Sequence, residues 1–206
     1  GGGAYTGGQR VEVRIEDGEV RALLPGPPNP LSKDGAELRL PFRVRLRQKR
    51  GEAVLEIQGR RIALSKGQYS EWVPVAFKAG MGVKVPGICR FLLKEVGPEF
   101  EMYVTPLNID PEKPALPISH PFIYSVYLSK LLGSFITLGE ANDTWALNEG
   151  VLDEAAFLEL AYDSHLEWEG MLFNALKKTT RGLVAIVFET TDSIQHMFFR
   201  YLDKRH

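Results

Sequence analysis

A chain of 206 residues, 44% apolar and 25% charged, has the material for one large domain or two small ones with a buried core. Its formal net charge of -1 argues against a dedicated nucleic-acid binder, which carries a basic excess. One cysteine, Cys89, excludes an intramolecular disulfide and a four-thiolate zinc site, and no stretch approaches the roughly 18 apolar residues that a membrane-spanning helix needs.

The chain opens Gly1-Gly2-Gly3-Ala4, neither a charged n-region nor an apolar h-region, so no signal peptide is visible. Together with the single cysteine this favours a cytoplasmic location, while the absent methionine points to a processed, tagged or excised chain. Val11, Val13 and Ile15 alternate with polar residues, and Asp17-Gly18 supplies a tight turn before Val20 and Ala22. Asp-Gly between alternating runs predicts a hairpin, because both turn residues tolerate positive φ. Leu38, Leu40, Phe42, Val44 and Leu46 then fall on one side of an extended segment, with Glu37, Arg39, Arg43, Arg45 and Arg47 on the other. That period of two predicts a half-buried strand. Pro41 removes a ladder donor and predicts an edge or a bulge there. A second hairpin is expected across Gly59, joining Leu55 and Ile57 to Ile62 and Leu64. Val73, Val75 and Phe77, then Cys89, Phe91 and Leu93, then Phe100, Met102 and Val104, read as further strands. About seven short strands with regular turns predict an antiparallel, sandwich-like domain.

The second half reads as helical. Pro111, Pro114, Pro117 and Pro121 forbid regular structure around them. Residues 122–137 follow as a helix, and a stronger one starts at Asp153, an N-cap with Leu152 and Phe157 placed to staple the entry. Phe157, Ala161, Trp168, Leu172 and Ala175 describe one helical face, Lys177, Lys178 and Arg181 suit the negative end of the dipole, and Gly182 can close the helix. Charge divides the same way. Residues 1–108 hold 17 Lys and Arg against 12 Asp and Glu, a formal +5, and residues 109–206 hold 8 against 14, a formal -6. The predicted domains are therefore 1–108 and 109–206.

Residues 183–188, Leu-Val-Ala-Ile-Val-Phe, are apolar on both faces, as a central strand covered on two sides would be. The polar stretch 189–196 follows, then an apolar one, which reads as strand, loop, helix. Ligands in α/β sheets bind beyond the carboxyl ends of strands. Asp192 and His196 are four apart and share one face if the helix has begun, so a carboxylate and an imidazole can hold one divalent metal. The plainer alternative makes Asp192 the N-cap and His196 a first-turn residue without a ligand.

The stretch 188–200, FETTDSIQHMFFR, resembles the Asp-x-x-x-His metal segment of the type I phosphodiesterase/nucleotide pyrophosphatase family, within the alkaline phosphatase superfamily. Residues 103–121 (YVTPLNIDPEKPALPISHP) and 139–157 (GEANDTWALNEGVLDEAAF) resemble microbial members of the same family. The resemblance implies two metal ions, commonly zinc, beside a Thr or Ser nucleophile, with Asp192 and His196 contributing to one of them. It also implies a phosphoester substrate and a covalent phospho-enzyme intermediate. In that family the nucleophile lies upstream of the part represented here, and the other metal's Asp-His pair and a last His lie downstream. The chain ends Asp203-Lys204-Arg205-His206 without them. The expectation is an α+β chain: a β-rich insertion capping the site, then a helical segment ending in one strand-helix unit of an α/β catalytic core. It holds two ligands of a larger set and is inactive alone, and the two zinc ions are expected in the full-length protein and not necessarily in this fragment. No membrane or nucleic-acid partner is expected.

The other residue groups read as structural. Arg39, Arg43, Arg45, Arg47, Lys49 and Arg50 form a stripe that can face phosphates, but Glu52 and Glu56 stand near to offset it. Tyr69 and Trp72 are a glycan or base platform in one reading and core or rim in the other. His120 and His165 lack ligand spacing to each other, Cys89 alternates with apolar residues as a buried thiol does, and Asp110, Asp143 and Glu149 receive no chemical role. The rival to an enzyme piece is a non-catalytic module in which the β-rich half recognises a glycan, peptide or protein.

Overall fold

A computed structural model describes residues 8–139 and 142–202. The glycine-rich start, Glu140, Ala141 and the stretch 203–206 with His206 lie outside them. The fold is mixed, with antiparallel sheets and, among the described residues, four α-helices. The chain divides into two compact units, the first spanning Gln9–Leu116 and the second taking in residues 117–202. Asn108, the sequence-based boundary, sits inside the first unit, 3% exposed and bridged to Ile88.

In the first unit, β1 (Ile15–Glu16), β2 (Glu19–Pro28), β3 (Glu37–Arg47), β4 (Glu52–Ile57) and β5 (Arg60–Ser65) form one antiparallel sheet in chain order. Asp17 and Gly18 both have positive φ, 51° and 73°, and Gln58 and Gly59 repeat this at 48° and 77°, so both predicted hairpins close on two-residue turns. The first strand is shorter than expected: Val11 is 51% exposed and pairing starts only at Ile15. Pro41 does not mark an edge. β3 is the middle strand, and Pro41 is tolerated because pairing to β4 begins at Phe42, so the missing donor falls past the end of β4. The irregularity lies instead in β2, between Pro25 and Pro28, where Gly26 runs so close to Phe77 and the Leu38 carbonyl that a Cβ would collide with both.

Two further hairpins complete the unit: β6 (Val73–Gly80) with β7 (Val83–Cys89), and β8 (Phe91–Val96) with β9 (Phe100–Val104). The predicted strand of Cys89, Phe91 and Leu93 is divided at Arg90, with Cys89 ending β7 and Phe91 opening β8, and the rest of β7 has no counterpart in the sequence reading because Lys84, Pro86 and Gly87 obscure its alternation. The alternating positions of β2 to β8 meet in one core, from Val20 and Val44 through Leu55, Phe77 and Phe91 to Leu93. Each such side chain contributes about 1.5–3 kcal/mol when fully buried.

In the second unit, α1 is Ile123–Leu132, shorter than the predicted 122–137 because Gly133 takes φ +92° and ends it. The His120–Pro121 peptide is cis. A short α2 (Thr144–Asn148) follows, with Asp143 accepting from the Ala146 N–H as its N-cap. Next comes α3 (Glu154–Lys178), capped as expected by Asp153, which accepts from the Ala156 N–H at 2.7 Å. It buries Phe157, Leu160, Ala161 and Ser164; Trp168, Leu172 and Ala175, on the predicted face, are half-buried. α3 stops at Lys178 with Thr179 as its C-cap, so Gly182, at φ +113°, lies beyond the helix end and does not close it as the sequence suggests. No helix among the described residues is long and apolar enough to cross a membrane.

The run 183–188 is not the buried strand that its composition predicts. It carries no regular secondary structure and joins no sheet among the described residues, and Leu183 and Val187 are 89% and 79% exposed. The physical reason is that no described strand lies alongside to take up its backbone groups.

Candidate metal centre

The residues after this run form α4 (Glu189–Phe198), continued by a 3-10 turn, Phe199–Leu202. The helix starts earlier than either sequence alternative: Phe188 is the N-cap position, without a side-chain cap, and Asp192 lies inside the first turn beside Glu189. Acidic residues there complement the positive end of the helix dipole. Burial follows a helical period. Thr190 is buried and Ser193, Ile194, Met197 and Phe198 are half-buried, while Thr191, Asp192, Gln195 and His196 face out.

Aromatic contacts fix that orientation. Phe198 packs on Phe157 of α3 with ring centres 6.0 Å apart, and Phe188 lies on His165 at 4.7 Å. Glu154, at the start of α3, accepts hydrogen bonds from Arg200 and from the Tyr201 hydroxyl, the latter at 2.6 Å and 2.8 Å to its two oxygens. The Tyr201 hydroxyl, then the Arg200 guanidinium, hold the Glu154 carboxyl below the usual carboxylate range. This clamp has no sequence signal, since its partners are 46 and 47 residues apart.

On the outer face Asp192 Oδ1 and His196 Nε2 stand 3.4 Å apart, each side chain 78% exposed. That separation is the distance of an ion pair between the two groups, and it is also close to the roughly 3.3 Å between two donors on one tetrahedral zinc. A carboxylate oxygen and an imidazole nitrogen are also the donor chemistry that zinc accepts. The described residues contain no group of three or more His, Cys, Asp or Glu able to hold a metal. Among the described residues Asp192 and His196 stand as an exposed carboxylate–imidazole pair one helical turn apart.

The remaining residues resolve as structural. His165 lies under Phe188, and its Nδ1 is buried without a hydrogen-bond partner among the described residues. Asp110 accepts from the Glu112 and Lys113 N–H groups, closing a turn, and Glu149 is the C-cap of α2. Tyr69 and Trp72 are half-buried, and the Arg90 guanidinium lies over both rings at 5.2 Å and 6.0 Å, so the aromatic platform already carries a cation. Arg90 itself is 9% exposed and donates from Nε to the Ser70 carbonyl. Cys89 is fully buried, and desolvation pushes its thiol up to about 12. Within the basic stripe, Arg43 and Arg45 engage Glu19 and Glu56 across neighbouring strands, Arg39 pairs with Glu37 and Arg47 with Glu52. Glu56 was in view from the sequence; Glu19 was not.

No protein-family model, no curated protein and no solved structure matches the chain.

Proposed function

We propose that this chain supplies part of the metal site of a phosphoester hydrolase, of the phosphodiesterase and nucleotide pyrophosphatase type, and that Asp192 and His196 ligate one divalent cation, zinc by donor chemistry. The observation that carries the reading is the 3.4 Å separation of these two donors on an open helix face. It gains support from the apolar run that leads into α4, whose exposed Leu183 and Val187 suit a strand completed by a sheet from outside these residues. In this reading 183–188 and α4 form one strand-helix unit of an α/β catalytic core, and the β-rich unit is a sandwich-like insertion that caps the site and limits substrate size. A divalent cation held there supplies Lewis-acid chemistry, offsetting charge on phosphoryl oxygens and lowering the cost of forming the nucleophile. The part played by this chain is narrower: α4 fixes a carboxylate and an imidazole one helical turn apart, and the Phe157–Phe198 contact and the Glu154 clamp hold that helix in place.

Two ligands do not complete a catalytic centre, so the purified chain is expected to release no p-nitrophenol from bis(p-nitrophenyl) phosphate with zinc present. Zinc is expected to bind it weakly, as measured by calorimetry, and Asp192→Ala or His196→Ala to abolish that binding. Zinc-dependent turnover by the chain, or zinc binding that survives both substitutions, overturns the proposal. The flanking reading frame is an independent check, expected to encode a Thr or Ser nucleophile upstream and a further Asp-His pair downstream.

A further inference from the structure

The solvent face of the five-stranded sheet holds more cations than its carboxylates can serve. Arg21, Arg43, Glu56 and Arg61 stand directly opposite one another on β2, β3, β4 and β5, a single row across four strands. In the adjacent row Glu19 faces Arg45. Glu19 is shared by Arg21, Arg43 and Arg45 at 3.7, 3.4 and 2.9 Å, and Glu56 by Arg43, Arg45 and Arg61. Arg60, opposite the core residue Ile57, leaves the sheet on its other face and donates to the Pro74 carbonyl, reaching only the rim of the depression on the solvent face. Four guanidiniums, of Arg21, Arg43, Arg45 and Arg61, against two carboxylates leave a local surplus of about two positive charges. Placing Arg21 opposite Arg43 also breaks the rule against like charges in facing positions. Such violations concentrate where function requires them.

The shape adds to the charge. An open depression of about 790 Å³ is lined by Arg21, Arg43, Arg60 and Arg61, with Leu23 and Pro41 forming an apolar shelf in the next row. Leu23 is 45% exposed. We propose that this face docks an acidic polypeptide segment bearing an apolar side chain. Arg43, at the centre, is already gripped by Glu56 through two nitrogens. The guanidiniums with spare donors are those of Arg21 and Arg61, whose side chains are 77% and 73% exposed. The backbones that carry them lie three strand spacings apart, roughly 14 Å. One small anion cannot touch both. An extended peptide rises about 3.3 Å per residue, so carboxylates four residues apart reach both ends while a residue between them covers the Leu23–Pro41 shelf. The existing exposed ion pairs, each worth about 0–1 kcal/mol, are weak enough to be exchanged for the incoming carboxylates.

The test uses the full chain and a fluorescein-labelled peptide with two glutamates four residues apart around a leucine, read by anisotropy. Saturable binding is expected, weakening with added salt. Arg21→Gln and Arg61→Gln are each expected to weaken it about tenfold, while Arg39→Gln and Arg47→Gln, on the same face away from the depression, change it less than about twofold. Circular dichroism of each variant checks that the sheet is intact; Arg21→Gln relieves a like-charge contact and keeps the fold. Absence of saturable binding, equal loss in Arg39→Gln and Arg21→Gln, or displacement of the peptide by equimolar inorganic phosphate or single-stranded DNA each overturns the proposal. The metal-ligand reading does not enter this test, so either can fail alone.

Discussion

The exposed apolar run before α4 makes the sharpest demand on the structure. Consider Leu183→Ala and Val187→Ala together. Full burial of a Leu or Val side chain contributes about 1.5–3 kcal/mol. Leu183 keeps 89% of its surface in water and Val187 keeps 79%, so roughly a tenth and a fifth of that contribution is realised. The expected cost is therefore about 0.2–0.3 kcal/mol for Leu183→Ala and about 0.3–0.6 kcal/mol for Val187→Ala, under about 1 kcal/mol for the pair. Phe157, fully buried, provides the contrast: Phe157→Ala is expected to cost about 3–5 kcal/mol. Urea unfolding followed at 222 nm, which reports the helices, distinguishes the two cases. With a slope of about 2 kcal/mol per molar urea, the double variant moves the midpoint by less than about 0.5 M and Phe157→Ala by more than about 1.5 M. A loss above about 2 kcal/mol in the double variant would show that the run is packed in solution, and would remove the argument that it awaits a neighbouring sheet.

Three further outcomes follow from particular contacts. Gly26→Ala drives a methyl into the Phe77 ring and the Leu38 carbonyl and is expected to cost about 1–3 kcal/mol by thermal denaturation, while Gly97→Ala, with open space around it, serves as the control. Cys89, its thiol raised to about 12 by burial, should resist Ellman's reagent at pH 8 and react fully in urea. Because the unfolded thiol ionises near 8.5, this group's contribution to stability is complete below about pH 8.5 and is lost as pH rises toward 12. The Glu154 carboxyl is depressed in the folded state, so its contribution is present above the ordinary carboxylate range and lost as pH falls through the lowered value. Amide protection at residues 199–202, expressed relative to the intrinsic exchange rate at each pH, should fall on acidification, and Glu154→Gln should reproduce that loss of protection at neutral pH.

Local patterns carried most of the β-rich unit. The alternation of 37–47, the Asp17-Gly18 and Gln58-Gly59 turns and the Asp153 cap all depend on neighbours in sequence, and each appears as expected. Where the reading of Pro41 missed, the deciding fact was the length of another strand, which no property of Pro41 encodes. The run 183–188 misled differently. Its composition expresses a preference for burial, whereas burial itself requires partners that the described residues do not provide. For the candidate site, spacing alone placed Asp192 and His196 on one face, because four residues make nearly one helical turn. The supports behind them, Phe157, Glu154 and Tyr201, were invisible because only tertiary packing brings them to α4.

The order of the large sheet has a kinetic consequence. Within the sheet from β1 to β5 every pairing joins strands consecutive in the chain, and the two smaller sheets are hairpins as well. Every ladder is thus closed by a short loop, whose entropic cost is small and whose search is brief. A polypeptide emerging from the ribosome can zip this half together turn by turn, needing nothing from the residues still to be made for its strands to find their register.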